Sequence, residues 1–152
     1  MMTFDDIDRR ILIELQRNAD QSLESIGEKI HLSRNSCWRR IKALEASGII
    51  EKRVAILSSA KVGLGLMVFM QIRTSAHEKD WLDRFSRATR GIPEILGVYR
   101  MTGDLDYLIR ARVADMAGYD LLYQDLIRRV PLSDVSASFV MEQIKDTTEL
   151  PL

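Results

Sequence analysis

The chain has a single cysteine, two histidines and no apolar run near the roughly 20 residues that cross a bilayer. Each shortage excludes something. Cys37 alone cannot form an internal disulfide, and it gives no sign of an oxidising compartment. With only His31 and His77 there is no cluster at metal-ligand spacing, and no phosphate-binding glycine loop occurs. An enzyme is therefore not expected, nor a metal, nor a cofactor. The opening residues Met1-Met2-Thr3-Phe4-Asp5-Asp6 are acidic and lack the basic-then-apolar order of a signal peptide, which points to the cytoplasm and to no membrane partner.

What is present is an ordinary globular composition, 46% hydrophobic and 29% charged over 152 residues, enough for one domain or two small ones. The formal net charge is zero, but it is unevenly spread. Residues 1–32 carry four basic and seven acidic side chains, and residues 54–152 carry twelve and thirteen. Residues 33–53 carry six basic (Arg34, Arg39, Arg40, Lys42, Lys52, Arg53) and two acidic (Glu45, Glu51). Such a stretch suits a phosphate-contacting element, but by charge alone a solvated helix face is the commoner explanation.

Three helices are expected around it. Asp5 or Asp6 can cap the first, with Ile7, Ile11, Leu12 and Leu15 as its apolar stripe. Ser22 can cap a second, with Leu23, Ile26 and Ile30 inward. His31-Leu32 makes a tight turn, Ser33 caps a third, and Gly48 ends it. Two short helices joined so closely form a helix-turn-helix. Gly27, costly inside a helix, would let the third helix approach the second. With Cys37, Ile41 and Leu44 inward at about 100° per residue, Asn35, Ser36, Arg39 and Lys42 face out, with Arg34, Trp38 and Arg40 on the flanks. Asn, Ser and Arg at a helix N-terminus can reach base edges, and Arg and Lys farther along reach phosphates. Trp38 fits packing better than a DNA contact, and Cys37 is a small hydrophobe. Residues 49–50 and 54–57 look like short strands, a wing or a connection. Residues 58–65, Ser-Ser-Ala-Lys-Val-Gly-Leu-Gly, look like a linker.

The second half alternates strand and helix. Strands are expected over 66–73, 95–101, 106–113 and 135–143, the last with Phe139 and Met141 on one face. Helices are expected over 78–90 and from a cap at Asp115 to 130, where Pro131 stops the second. The order βαββαβ is the ferredoxin-like arrangement, whose sheet has one face covered by helices and one bare. A bare apolar face calls for a partner, so at least a homodimer is expected. The fold class is thus α+β: a (winged) helix-turn-helix over 1–57, a linker over 58–65 and a ferredoxin-like domain over 66–152.

The chain resembles the Lrp/AsnC ("feast/famine") family of transcription regulators over nearly its whole length. The resemblance rests on Asp8-Arg9-Arg10-Ile11-Leu12, on Leu32-Ser33 with Cys37 and Arg40, on Leu44-Glu45 with Ser47-Gly48-Ile49-Ile50, and on Gly103-Asp104-Leu105-Asp106-Tyr107. The tail from Met141 to Leu152 is similar to a branch some of whose members respond to cysteine. The resemblance implies a regulator that binds double-stranded DNA as a dimer, assembles further, often to octamers, and binds an amino acid between dimers. By position it implies DNA contacts from Arg34, Asn35, Ser36, Arg39 and Arg40; Ser33, Trp38 and Lys42 complete the candidate surface. The implied effector loop is Gly103 to Asp106, with Met101, Thr102 and Phe139 as neighbours. Its backbone N–H groups could hold a carboxylate, and Asp104 or Asp106 an α-ammonium. One position departs from the family: His31 stands where glycine is usual, so a slightly strained turn is expected. A DNA-organising protein that senses nothing is the alternative, and the intact Gly103–Asp106 loop speaks against it.

Overall fold

The computed structural model describes residues 4–74 and 79–152; His77 and the expected helix start at Glu78 lie outside them. Two compact units emerge, Met1–Ile56 together with Lys145–Leu152, and Leu57–Ile144. Among the described residues no helix is long and apolar enough to cross a membrane.

The first unit is three helices: α1 (Asp6–Arg17), α2 (Leu23–Ile30) and α3 (Arg34–Ala46). Their starts follow from capping chemistry. The Asp5 carboxylate accepts from the N–H groups of Ile7 and Asp8, and Asp8 reaches back to the Asp5 N–H, a reciprocal capping box. Ser22 and Ser33 accept in the same way from the N–H groups of Ser25 and Ser36. The inward faces meet in a core of Ile11, Leu12, Ile26, Ile30, Cys37, Ile41 and Leu44. Gly27 is required by the turn: a Cβ there would run into the carbonyl oxygen of Leu32 and lie 3.5 Å from Cys37 Sγ. His31 adopts φ 60 and ψ 46 and is the one non-glycine residue with positive φ among those described.

Two features of this unit differ from expectation. Residues 51–58 form no strand, and 49–50 are bends, so the chain itself builds no two-stranded wing. A strand needs a ladder, and among the described residues no segment of this unit pairs with another as a strand. The tail also belongs here and not with the sheet: Gln16 Nε2 donates to the Leu150 carbonyl (3.2 Å), the Leu150 N–H donates to Gln16 Oε1 (2.6 Å), and Leu152 packs on the helical core. Periodicity cannot reveal such a return, because eight irregular residues carry no period.

The second unit holds β1 (Leu66–Arg73), α4 (Lys79–Arg90), β2 (Ile95–Arg100), β3 (Tyr107–Val113), α5 (Met116–Arg129) and β4 (Asp134–Phe139). The sheet order is β2-β3-β1-β4, antiparallel throughout. Residues 58–64 fold into a compact turn. Val68, Met70 and Ile72 on β1 and Tyr107, Ile109, Ala111 and Val113 on β3 point to the helices, where Trp81, Phe85, Leu122 and Leu126 meet them. Trp81 and Phe85 stack at 5.0 Å, and the Trp81 indole N–H donates to the Pro131 carbonyl. Strand β4 stops at Phe139 rather than 143, because its partner β1 begins at Leu66; the Val140 N–H still donates to Met67, and then the ladder runs out.

Candidate DNA interface and effector hairpin

Helix α3 sorts the candidate DNA-facing residues into three groups. Asn35 and Arg39 are exposed, and neither makes a side-chain bond within the chain among the described residues. Arg34 and Lys42 are exposed but ion-paired, with Glu24 (2.6 Å) and Glu45 (2.7 Å). Surface pairs of this kind are worth at most about 1 kcal/mol and exchange readily for a phosphate. Ser33 and Ser36 serve the helix start, where the Ser33 hydroxyl donates to Ser36 Oγ (3.0 Å) and accepts from the Ser36 N–H (3.3 Å).

Arg40 and Trp38 depart from the sequence reading. The Arg40 guanidinium lies 2.8 Å from both Asp5 and Asp8 and ties α3 to the start of α1. It is engaged within the fold rather than displayed beside Arg39. Asp8 first, then Asp5, raises the Arg40 pKa, while the Asp8 backbone N–H and then Arg40 hold the Asp5 carboxyl below the usual range. Partners 32 and 35 residues away leave no trace in local sequence. Trp38 is 54% exposed, so packing within the chain does not account for it. Cys37 is buried, and burial pushes its thiol pKa up, in line with an inert core residue.

The second candidate site is the β2–β3 connection. The Met101 N–H donates to the Asp106 carbonyl (2.9 Å), and Gly103 takes φ 95, which favours glycine. The loop is pinned to the end of β1. The Asp106 N–H donates to Ile72, the Asp106 carboxylate accepts from the Thr74 N–H (2.7 Å), and Arg73 Nε donates to the Asp104 carbonyl (3.0 Å). Asp106 is therefore a clamp, and the exposed carboxylate of Asp104 makes no bond among the described residues. The N–H groups of Thr102, Gly103, Asp104 and Leu105 likewise donate to no other described residue.

Phe139 is not brought to this loop. In the antiparallel register Asp134 pairs with Arg73, beside the loop, and Phe139 pairs with Val68, five residues away along β1 or roughly 16 Å. Phe139 meets Tyr119 of α5 edge-on at 5.0 Å. Arg73 was missed as a loop partner; nothing in the strand's alternation singles it out, because its role depends on the register of β1 against β3.

A capped helix-turn-helix with a polar outer face, joined to a βαββαβ unit with a pinned hairpin, defines a DNA-binding regulator with a separate ligand-binding domain. Residues 4–51 match the winged helix-turn-helix DNA-binding model, and residues 67–150 match the Lrp/AsnC ligand binding domain. The chain belongs to the Lrp/AsnC family of transcription regulators and is not an enzyme. It is 48% identical over 148 residues to the glutamate uptake regulatory protein of Zymomonas mobilis, covering 97% of this chain and 90% of that one. It is 47% identical over 149 residues to the DNA-binding transcriptional activator DecR of Escherichia coli K12, covering 97% and 98%. Among solved structures, a transcriptional regulator of Neisseria meningitidis in complex with L-Met superposes with a TM-score of 0.93 at 36% identity, covering 98% of this chain and 97% of that one.

Proposed function

We propose that this regulator reads DNA with the exposed N-terminal half of α3 and changes its DNA binding when an amino acid occupies the Thr102–Asp106 hairpin. Asn35 and Arg39 make the direct contacts, Arg34 and Lys42 release their surface partners to meet phosphates, and Ser33 and Ser36 present the helix start. Arg40 supports the reading from behind by fixing α3 to α1. Trp38, exposed on the same helix, lies against the sugar-phosphate edge.

At the hairpin the undonated N–H groups of residues 102–105 suit a carboxylate, and Asp104, set free by the Asp106 clamp, suits an α-ammonium. That juxtaposition of both signs in one exposed turn is the observation that carries the reading. The L-Met complex of the Neisseria relative supports an amino acid as the class of effector. Assembly rests on the sheet face away from the helices, where Phe69, Leu108 and Arg110 are partly buried and Arg110 Nε is buried with no hydrogen-bond partner among the described residues. A second copy placed there gives a homodimer, and dimers join to octamers; the work is done in the cytoplasm, where the DNA is.

The test is operator affinity of the full chain with and without each of the twenty amino acids. One of them should shift wild-type affinity by about 5–150-fold, the usual size of such coupling. Asp104→Ala should lose that response while binding the operator normally without effector. A response unchanged in Asp104→Ala would place the effector elsewhere. Arg39→Ala should weaken operator binding by about 1–3 kcal/mol.

A further inference from the structure

On the helix-covered side of the second unit, away from the hairpin, an open cleft of about 330 Å³ is lined by Arg84, Arg87, Ala88 and Arg129. Arg84 and Arg87 are exposed neighbours on α4, and neither pairs with a carboxylate or any other described group. Arg129, the last residue of α5, is steered into the cleft from two sides. Asp125 holds its guanidinium at 2.7 Å. Gly91 leaves it room: a Cβ there would lie 2.9 Å from Arg129 Nη1, and Gly91 has no positive φ that would itself call for glycine.

Three arginines line this one cleft, and among the described residues only Arg129 of the three has a carboxylate partner, Asp125, so the positive charge of the set is not balanced. Cations in the last turn of a helix are favoured by its dipole, which accounts for Arg87 and Arg129. It does not account for Arg84, which stands in the middle of α4. Forked donors lining a cleft of this size suit the oxygens of a phosphate group, which can accept several paired N–H bonds at once.

We infer that the cleft between α4 and α5 binds a phosphate group through Arg84, Arg87 and Arg129. The phosphate comes either from a free phosphorylated metabolite or from the DNA backbone beyond the operator contacts of α3. Calorimetric titration of the full chain with inorganic pyrophosphate separates binding from its absence. Wild type should bind it, Arg84→Gln/Arg87→Gln should bind at least tenfold more weakly, and Gly91→Ala, which leaves the charge unchanged, should also weaken binding by displacing Arg129. Thermal melts of the variants, expected to match wild type, confirm that they fold.

The source is read from operator affinity against salt. If the phosphate belongs to DNA, the double variant should lower the slope of log affinity against log salt by about one to two per subunit, and pyrophosphate should compete with DNA. If it belongs to a metabolite, the slope stays put, and pyrophosphate alters operator affinity in wild type but not in the double variant. No pyrophosphate binding by wild type, or equal binding by wild type and double variant, overturns the proposal.

Discussion

Seven buried side chains, none aromatic, hold the three helices of the first unit together, whereas the second unit buries fourteen, with Trp81, Phe85 and Tyr107 in mutual ring contact. The small unit compensates with charge. Arg40 joins α3 to the start of α1, Lys29 joins α2 to Glu14 of α1 (2.7 Å), and Arg53 meets Glu45 (3.0 Å). The ion pairs of the second unit that lie within one element, Asp125 with Arg128 and Arg129, stabilise a helix and not its packing. A unit whose outer face must stay polar for DNA has little apolar area to bury, so its helices are located by specific polar contacts as well.

The two halves carry separate reporters, which makes the comparison breakable. In a Trp38→Phe background the emission of buried Trp81 follows the sheet half, and alkylation of buried Cys37 follows the helical half. Phe85→Ala should have the largest effect, about 3–5 kcal/mol, because a fully buried ring stacked on Trp81 leaves a cavity. Trp81 emission should report early unfolding while Cys37 stays protected; loss of both together would mean that the halves fold as one. Gly27→Ala should follow at about 1–3 kcal/mol, since the new methyl meets backbone and not a mobile side chain. Here Cys37 alkylation should accelerate and Trp81 should not respond.

Arg40→Ala should cost about 1 kcal/mol in the helical half, and the loss should shrink at high salt. Acid should expose the same asymmetry. Asp5 is held low by the Asp8 N–H and Arg40, Glu14 by Lys29, and Glu45 by Lys42. Carboxyls with lowered folded pKa values stabilise fully above their ordinary range and lose that contribution as pH falls through the lowered values. The helical half should therefore open first below about pH 4. In the sheet half Asp125, held by Arg129, is the one carboxyl so shifted among the described residues. Equal acid sensitivity of the two reporters would remove the distinction. The smallest effect is expected at His31→Gly, a gain of up to about 1 kcal/mol in thermal stability from relief of the left-handed backbone.

Local signals were legible and distant ones were not. The caps at Asp5, Ser22, Ser33 and Asp115 and the stripe of α1 could be found because side chain and partner lie within one helical turn. The hairpin glycine at 103 could be found because positive φ is a single-residue property. The placement of Arg40 on the flank of its helix was visible in sequence, while its pairing with carboxylates over 30 residues away was not. Phe139 looked like a pocket neighbour because strand alternation fixes which face a residue takes and leaves open how far along the strand its neighbour lies. Asp104 and Asp106 were equivalent in sequence, and only the Thr74 N–H separates them.

The return of residues 145–152 to the helical unit has a consequence for biosynthesis. Between Ile56 and Lys145 the ribosome makes the 88 residues of Leu57–Ile144, which takes roughly 4–18 s at ordinary elongation rates. All seven buried residues of the helical core lie before that interval, so the DNA-reading half can fold early. Its fastening, Leu152 on the core and Leu150 on Gln16, arrives only after the ligand-binding half has been synthesised. A nascent chain thus has its DNA-reading helix long before its last clasp, and a message read only as far as codon 144 would give a regulator whose two halves are both formed and whose first half is left unlatched.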